Sequence, residues 1–595
     1  MAHSTTRKAG AHRRGSGFRA TLRAAVSPAS RIALVLPLVA LAPDARPAPA
    51  QASDEGLRRQ EERAQELRHS LQTSADAPQR QPAAPVSTIL PAEQPCFTIR
   101  AVELQSADAV RFGWLADTAL PFLRQCAGVA GLRQVAAALD EKLISLGYIT
   151  SRVTLPQQNL ADGVLAIRLH VGRVANVAMF DATGEQQPDT GWGTWRNAFP
   201  LSPGGVLDAG DIEQGVEQMK RLPSQAVTTE LAPGAAPDTT DVRILRQPAS
   251  LAKRLRGGFS IDNSGSRSLG TPQASGHAAF DNPLGLNDIV SLSAGSNLQH
   301  AAADHRSQSA SLDYSIPWGY NTFTFNAGRS RYAQRVQGTT VQFLSSGVSS
   351  TAEVKWHRTV VRTGAARAGA YAAVGTRRAN SYLDDVELLV QRRRTTSVEG
   401  GLTYRQLLGD ASVEFELAYR QGMPWRGAQE DLPTAASGGL TLRPRILLFN
   451  GSFRKPFTLA GRTVQYEASL RAQGTRDTTL SVDQIAIGNR YSVRGFDGEN
   501  VLLAESGTTL RQEFTTPLAP VAGINSVAYL GIDIGRVWGA GAALLPGQKL
   551  AGAALGLRAQ WQHLQLDAAL GTPLYKPDGF STRRWNPYLY LTYAF

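Results

Sequence analysis

Residues 463–473, TVQYEASLRAQ, alternate between apolar and polar side chains without a break. Successive side chains of a β-strand point to opposite faces, so the alternation predicts a strand with one apolar and one hydrated face. A tilted strand of about nine to eleven residues spans a bilayer, and this stretch therefore has the length and pattern of a transmembrane β-strand. The apolar face carries Val464, Tyr466, Ala468, Leu470 and Ala472.

The same alternation recurs throughout residues 255–595. Comparable strips cover residues 413–420, 555–562 and 563–570, and turns rich in Gly and Asn separate them. A soluble sandwich also alternates, but its strands are usually shorter. Because open sheet edges cannot face lipid, strips of this length predict a closed membrane barrel. At roughly 20–22 residues per strand and connection, the region accommodates about 16 antiparallel strands.

Length and composition exclude a single small enzyme and a helical membrane bundle. The 595 residues, 19% of them charged, exceed one domain at roughly 100–200 residues per domain. After residue 52 the sequence contains no run of about 18 apolar residues. The formal net charge of +13 is uneven, since eight of the 62 bases but one of the 49 acids precede residue 53. The remaining charge balance is ordinary and indicates no nucleic-acid partner.

The first 52 residues have the organisation of a secretory signal peptide. A basic leader precedes an apolar stretch, Ile32–Ala42, and the small residues of Ala50-Gln51-Ala52 fit a signal-peptidase site. Cleavage is expected before Ser53. The alternative interpretation is a disordered tail followed by a short buried helix.

A separable helix and a tether follow the signal. Residues 53–73 are rich in helix formers but carry only a narrow apolar stripe, and residues 74–94 are rich in Pro, Ala and Gln. The first segment predicts a highly charged helix that suits a water-filled lumen better than a packed core, with a solvated, unplaced helix as the alternative. The second predicts an extended linker.

Two small α+β modules are predicted before the barrel, at residues 95–173 and 174–248. Each combines strands of alternating pattern with a helix that carries apolar residues at helical spacing, and in the first module this helix is predicted to start at Gly131. The first module contains Cys96 and Cys126, the only cysteines of the chain. Export exposes them to an oxidising compartment, so we expect a disulfide between them; two buried thiols are the alternative.

Sequence motifs for an enzyme active site are absent. The chain has no HExxH, no GxSxG and no Walker-type GxxxxGK[ST] motif, so no hydrolase or nucleotide site is predicted. We therefore expect a protein without enzymatic activity or cofactor. A barrel enzyme without a strong local motif stays open as an alternative.

Several stretches of the chain form a distinctive set of motifs. They are PCFTI at 95–99, LGYITSRVTLPQQNLADGVLAIRLHVG at 146–172, DIEQGVEQMKRLPS at 211–224, APG at 232–234, LRGGFSIDNSGSRSLG at 255–270, VRGF at 493–496 and GIDIG at 531–535. Together they resemble the two-partner secretion outer-membrane transporters, the TpsB family of the Omp85 superfamily. The resemblance covers essentially the whole chain after the signal peptide.

The resemblance implies both an architecture and a function. The modules would be POTRA domains in the periplasm of a Gram-negative bacterium, residues 53–73 a plug helix in the barrel lumen, and residues 255–595 the outer-membrane barrel. The barrel would export one large β-helical exoprotein of the TpsA type (an adhesin, a haemolysin or a contact-inhibition toxin) without nucleotide hydrolysis. Further implied partners are outer-membrane lipid and the barrel assembly machinery, for which the terminal Phe595 would be a signal.

Alternative functions are an outer-membrane protein insertase of the same superfamily, a barrel enzyme and a passive porin. Insertases usually carry more POTRA modules than the two predicted here. The periplasmic modules and the VRGF loop argue against a porin.

Two residues of the barrel region form the predicted functional contact. Arg494 lies in a long polar connection, within Val493-Arg494-Gly495-Phe496, and Asp533 lies in a predicted strand. Because side chains alternate along a strand and the apolar neighbours of Asp533 would face lipid, Asp533 is predicted to face the lumen together with Gly531 and Gly535. The two glycines have no side chain, so a bulky group can approach the backbone there. The resemblance implies that the loop folds into the barrel and that Arg494 meets Asp533. A solvated pair that never meets is the alternative.

Overall fold

The computed structural model describes residues 87–595 apart from 182, 189–192, 249, 300–303 and 338–340. The predicted signal peptide (1–52), the predicted plug helix (53–73) and residues 74–86 of the predicted linker lie outside the described residues. No helix within the described ranges is long and apolar enough to cross a membrane.

The first module is a three-stranded sheet covered by helices. Strand β2 pairs in parallel with β5, which pairs with β4 in antiparallel fashion. The long helix α3 buries Val135, Leu139 and Leu143 against the sheet residues Leu165 and Ile167. The elements are β1 (Phe97–Thr98), β2 (Ala101–Gln105), α1 (Ala109–Phe112), α2 (Trp114–Ala119), β3 (Cys126–Ala127), α3 (Val129–Ser145), β4 (Arg152–Thr154) and β5 (Val164–His170).

Helix α3 begins at Val129, two residues before the predicted start at Gly131. The carboxylate of Glu93, from the linker, accepts hydrogen bonds from the backbone N–H groups of Ala130 (2.8 Å) and Gly131 (2.7 Å). These bonds satisfy amides at the helix N-terminus, and they lower the pKa of the Glu93 carboxyl, with the bond from Gly131 the larger cause. The linker end is therefore attached to the first module.

A disulfide joins Cys96 and Cys126, 30 residues apart. It closes the short antiparallel pair of β1 and β3, directly before α3. In the chain-entropy model a loop of this length stabilises the fold by about 3–4 kcal/mol.

We expect thiol labelling of the denatured, unreduced protein to find no reactive cysteine, because both sulfur atoms are bonded. The same protein labelled after reduction is the control and should take up label at both cysteines. Two reactive thiols in the unreduced protein would contradict the disulfide.

The second module has a four-stranded sheet in the order β7-β6-β9-β8. Its helix α4 packs Ile212 and Met219 into a core with Phe199 and Ile244. The helix is N-capped by Asp208, whose side chain accepts a hydrogen bond from the N–H of Gly210 at 2.7 Å. The elements are β6 (Arg173–Phe180), β7 (Gln186–Gln187), α4 (Ala209–Lys220), β8 (Gln225–Pro233) and β9 (Thr239–Pro248).

After a one-turn helix α5 (Leu251–Arg254), sixteen long antiparallel strands of the described chain close into a barrel. The first and last strands pair from Gly258↔Ala594 to Asp262↔Tyr590. The barrel strands are β10 (Leu255–Asp262), β11 (Gln273–Asp281), β12 (Ile289–Asn297), β13 (His305–Trp318), β14 (Asn321–Gln337), β15 (Gln342–Arg362), β16 (Ala366–Leu383) with the short β17 (Val386–Glu387), β18 (Arg393–Leu408), β19 (Ala411–Met423), β20 (Arg445–Leu459), β21 (Arg462–Gly474), then β24 (Ser506–Pro517), β25 (Asn525–Trp538), β26 (Lys549–Trp561), β27 (Leu564–Tyr575) and β28 (Asn586–Ala594).

Large apolar side chains cover the outside of the barrel. Residues 463–473, predicted as a transmembrane strand, lie within β21. The outward side chains of the barrel strands are apolar and exposed, and they include Phe415, Leu417, Leu447, Leu470, Leu530, Ile532, Leu555 and Leu589. On β25 the residues between the outward ones are buried, as the predicted parity requires. The exposed apolar belt is the surface that faces lipid.

The second module docks on turns at one end of the barrel. Gln214 and Gln218 of α4 donate hydrogen bonds to the carbonyl of Gly319, in the turn between β13 and β14, at 3.0 and 3.1 Å. Glu217 pairs with both Arg362 and Arg367 at the turn between β15 and β16. We call this end of the barrel the module end.

Candidate functional site

The connection between β21 and β24 folds back into the barrel. Within it, β22 (Ile485–Ile487) and β23 (Leu502–Ala504) form a small antiparallel pair. Val493 and Phe496 are fully buried and belong to a cluster with Val537 of β25, Leu550 of β26 and Phe580. The tip of the loop, residues 493–496, is therefore packed against the inner wall of the barrel.

Arg494 at the loop tip contacts Asp533 of β25 through three hydrogen bonds. Its Nε donates to Oδ2 at 2.7 Å and its Nη2 to Oδ1 at 2.8 Å, and the backbone N–H of Arg494 donates to Oδ2 at 2.9 Å. Asp533 is 0% exposed and Arg494 is 5% exposed. This bidentate geometry fixes the direction of the guanidinium plane and the position of the backbone.

Two further acceptors surround the Arg494 guanidinium. Glu513 of β24 accepts from Nη1 at 2.5 Å, and the carbonyl of Gln512 accepts from Nη2 at 3.0 Å. Glu513 also accepts from Arg558 of β26 at 2.6 Å. The loop arginine is thus one member of a charged network that joins β24, β25 and β26.

Glycines of the barrel wall leave the space that the loop tip occupies. A Cβ atom on Gly531 would lie 2.4 Å from Cζ of Arg494, and one on Gly535 would lie 2.8 Å from Cγ2 of Val493. A Cβ atom on Gly552 would lie 1.8 Å from the carbonyl oxygen of Arg494. Larger residues at these positions would displace the loop.

Gly495 is held by the last strand of the barrel. Its φ of +105° is a left-handed conformation that favours glycine. Its N–H donates to the hydroxyl of Tyr588 at 2.8 Å, and its carbonyl accepts from Nδ2 of Asn586 at 2.6 Å. The Tyr588 hydroxyl in turn donates to the carbonyl of Phe496 at 2.8 Å. The loop is therefore attached to β28 as well as to β24 and β25.

The structure brings most of the predicted site residues together and places three elsewhere. The loop residues 493–496 lie against the strand that carries Gly531, Asp533 and Gly535. Cys96 and Cys126 belong to the first module. Phe595 lies at the barrel seam, where it exchanges backbone hydrogen bonds with Gly257 at 2.9 and 3.1 Å.

Sequence reasoning missed three members of the site. Glu513 could have been predicted from the sequence. Leu510 and Phe514 lie on the outward face of β24, and the alternation of side chains places Glu513 on the inward face. Tyr588 and Asn586 had no such signal. They contact the loop because β28 closes the barrel beside β10, and pairing over that sequence distance is not visible in a local pattern.

The docking of the second module adds a polar junction. Asn287, in the turn between β11 and β12, donates to the carbonyl of Thr194 at 2.7 Å and to Oδ1 of Asn197 at 3.0 Å. Tyr320 donates to Asp211 of α4 at 2.5 Å. Burial raises the pKa of the Asp211 carboxyl, although this hydrogen bond acts in the opposite direction. Side-chain bonds to backbone carbonyls set a defined orientation for the module.

Comparison with known proteins identifies the family. The model of the haemolysin secretion/activation proteins ShlB/FhaC/HecB matches residues 238–559. The outer membrane transporter CdiB-2 of Burkholderia pseudomallei strain 1026b is 35% identical over 85% of this chain and 88% of its own length. The chain belongs to the ShlB/FhaC/HecB family. A ShlB-type POTRA model matches residues 97–172 and a second POTRA model matches residues 177–233, so the two modules are POTRA 1 and POTRA 2.

Other relatives agree with this assignment. The structure of CdiB from Escherichia coli superposes with a TM-score of 0.79 at 28% identity and covers 93% of this chain and all of that chain. The hemolysin transporter HpmB of Proteus mirabilis is 25% identical over 83% of this chain and 85% of its own length. The resemblance seen in the sequence is confirmed. This ShlB/FhaC/HecB member is an outer-membrane transporter of two-partner secretion, not an enzyme, and its POTRA modules lie in the periplasm.

Proposed function

We propose that this transporter recognises one partner exoprotein in an extended, unfolded form through its POTRA modules and exports it through the barrel to the cell surface. The observation that carries the proposal is the docked POTRA 2, which holds a sheet edge next to the module end of the barrel. The partner belongs to the class of large secreted β-helical exoproteins. Relatives named as hemolysin transporters support this class.

The edge strand β8 of POTRA 2 is the proposed recognition element. In the described part of the chain its nine residues, Gln225–Pro233, pair with β9 alone. An unpaired strand edge binds an extended peptide by adding it as a further strand, and exposed side chains such as Thr228 and Leu231 contribute specificity. Recognition through the backbone suits a partner that arrives unfolded.

A crosslinking experiment tests this edge. A photoreactive amino acid at Thr228 is expected to crosslink to the secretion domain of the co-expressed partner, because Thr228 is exposed on the β8 edge. The matched control carries the same amino acid at Glu185, which is exposed next to β7 at the opposite edge of the sheet. Equal crosslinking at both positions, or none at Thr228, would contradict recognition at β8.

Export without nucleotide hydrolysis is the second part of the proposal. The sequence has no Walker-type motif, and the inside of the barrel supplies a hydrated route. A cavity of about 200 Å³ there is lined by polar side chains, among them Ser349, Thr351, Glu353, Arg377, Glu399 and Arg420. Because the wall is polar, the apolar side chains of an unfolded polypeptide find no apolar surface to bind there, and the polypeptide can move through. Folding of the β-helix outside the cell then makes return unfavourable.

We further propose that the loop tip and the predicted plug helix keep the resting barrel closed. The buried pair of Arg494 and Asp533 supports a fixed loop position, because such pairs specify geometry more than they add stability. The helix proposed for residues 53–73 rests on sequence and resemblance. Assembly of the transporter itself is proposed to require the barrel assembly machinery, with the terminal Phe595 as part of the signal.

Deletion of residues 53–72 is expected to raise single-channel conductance and sensitivity to large antibiotics, because it removes the proposed plug. Barrel assembly should be unchanged, since the described barrel closes through its own strands. Heat-modifiable electrophoretic migration controls for folding. Conductance equal to that of the wild type would contradict the proposal that this helix occupies the lumen.

A further inference from the structure

The outward face of β14, β16 and β18 carries exposed arginines. On β14, Phe323 and Phe325 face lipid at 37% and 43% exposure, and Arg329 lies on the same face of the strand. Arg378 of β16 and Arg394 of β18 are also exposed on the outward face. We refer to Arg329, Arg378 and Arg394 as the arginine row.

Strand pairing places these arginines side by side. Arg378 and Arg394 are directly opposite each other in the antiparallel pair of β16 and β18. Ser350 of β15 stands opposite both Arg329 and Arg378. Directly opposite side chains on one face have Cβ atoms about 5 Å apart, and like charges in this position repel. The row therefore concentrates positive charge in one line on the barrel wall.

The arginine row has no carboxylate partner within 4 Å among the described residues. Other arginines at the same end of the barrel do have one: Arg335 pairs with Asp304 at 2.8 Å and Arg392 pairs with Glu387 at 2.6 Å. The sequence thus gives neighbouring arginines, including the outward Arg335, a direct carboxylate partner, and leaves the arginine row without one.

The row lies away from the module end of the barrel. POTRA 2 marks that end as periplasmic; Arg378 and Arg394 lie toward the other end of β16 and β18, and Arg329 is the middle residue of β14, joined to Arg378 through the pairing with Ser350. From the outward Tyr404 to Arg394, β18 rises about 25 Å at about 3.3 Å per residue and a tilt of about 40°, which equals the apolar band of a barrel. The outward positions between them include Leu402 and Val398, whereas Thr396 is buried and donates to the carbonyl of Trp425 at 2.9 Å.

We propose that the arginine row binds the phosphate groups of lipid A, the phosphorylated glycolipid of the outer leaflet. Guanidinium groups bind phosphate bidentately, and a doubly phosphorylated headgroup offers anions to neighbouring arginines. The bound headgroup removes the repulsion between Arg378 and Arg394. The proposal gives a site to the outer-membrane lipid that the sequence resemblance implies as a partner, and of the functional assignment it needs only the outer-membrane location.

Lipid retention by the full-length transporter tests the site. The wild type and the variant Arg329→Gln/Arg378→Gln/Arg394→Gln are purified from outer membranes, and co-purified lipid A is counted by mass spectrometry. We expect the variant to retain at least about tenfold less lipid A, since each basic residue near an anionic surface contributes to binding. In phosphatidylcholine nanodiscs containing added lipid A, the wild type should enrich the phosphorylated form and not the dephosphorylated form.

A matched variant removes the same charge at the periplasmic end. Arg358→Gln/Lys455→Gln/Arg462→Gln changes three exposed bases there, and it should retain lipid A within about twofold of the wild type. Equal retention by the wild type and the arginine-row variant overturns the proposal. So does equal enrichment of phosphorylated and dephosphorylated lipid A, or full displacement by inorganic phosphate.

Two further measurements keep the test decisive. Arg394→Gln alone provides a milder variant if the triple variant does not fold, and it should lower retention in the same direction. Lipid retention is measured on the purified transporter, so its result does not depend on whether the partner exoprotein is recognised or exported.

Discussion

Arg494→Ala and Asp533→Ala are each expected to reduce secretion of the partner exoprotein to below about a tenth of the wild-type level. Removal of one member leaves the other buried without its bidentate partner, and breaking a buried pair costs about 3–5 kcal/mol. Both side chains are almost fully buried, and three hydrogen bonds join them. The lost contact destabilises the position of the loop, while the strand pairing that closes the barrel is unchanged. The barrel should therefore still assemble.

The double variant should be little worse than either single variant, since the two residues act through one contact. Arg494→Lys keeps the charge but loses the fork that reaches Asp533 and Glu513, so it should restore only part of the secretion. The matched control is Arg454→Ala, which breaks an exposed pair with Glu467 at 3.1 Å and should have little effect.

Secretion of the partner is measured in the culture medium, and barrel assembly by heat-modifiable migration on gels. Fully additive losses in the double variant would contradict a direct functional pair. So would wild-type secretion by Arg494→Ala.

Removal of residues 174–248 is expected to abolish secretion while leaving a folded barrel. The deletion takes away POTRA 2, including the β8 edge and the helix α4 that docks on Gly319. The turns that received the module lie at the periplasmic end of the barrel, where water can satisfy the freed polar groups of Arg362 and Asn287.

The deletion variant must first be shown to reach the outer membrane at the wild-type level. The partner should then accumulate in the periplasm or be degraded there. Glu217→Gln is the companion variant: it keeps the edge strand but weakens the ion pairs to Arg362 and Arg367, so secretion should fall only partly. Secretion at the normal level after the deletion would place recognition outside POTRA 2.

Local patterns were sufficient for the elements of the barrel. Alternation with a period of two predicted strand β21 and the inward direction of Asp533, and the count of about 16 strands agrees with the closed sheet. These properties follow from strand geometry, which any short stretch expresses by itself. The start of α3 differed by two residues because its first amides are bonded by Glu93, a residue of the linker.

The meeting of Arg494 with Asp533 was available only from the family resemblance, since neither residue carries a local signal for the other. Tyr588 and Asn586 joined the site because the last strand pairs with the first and brings its inner face to the loop. The arginine row was equally hidden, because Arg378 and Arg394 become neighbours only through the register of β16 and β18.

The amino-acid sequence by itself therefore determined the class of fold, the two modules before the barrel and the faces of strands such as β21 and β25, because periodicity and composition act within a few residues. Only the tertiary structure decided the partners of the loop, the docking of POTRA 2 and the positions of charges on the barrel wall. Those contacts depend on strand register and barrel closure, which join residues that are far apart in the chain.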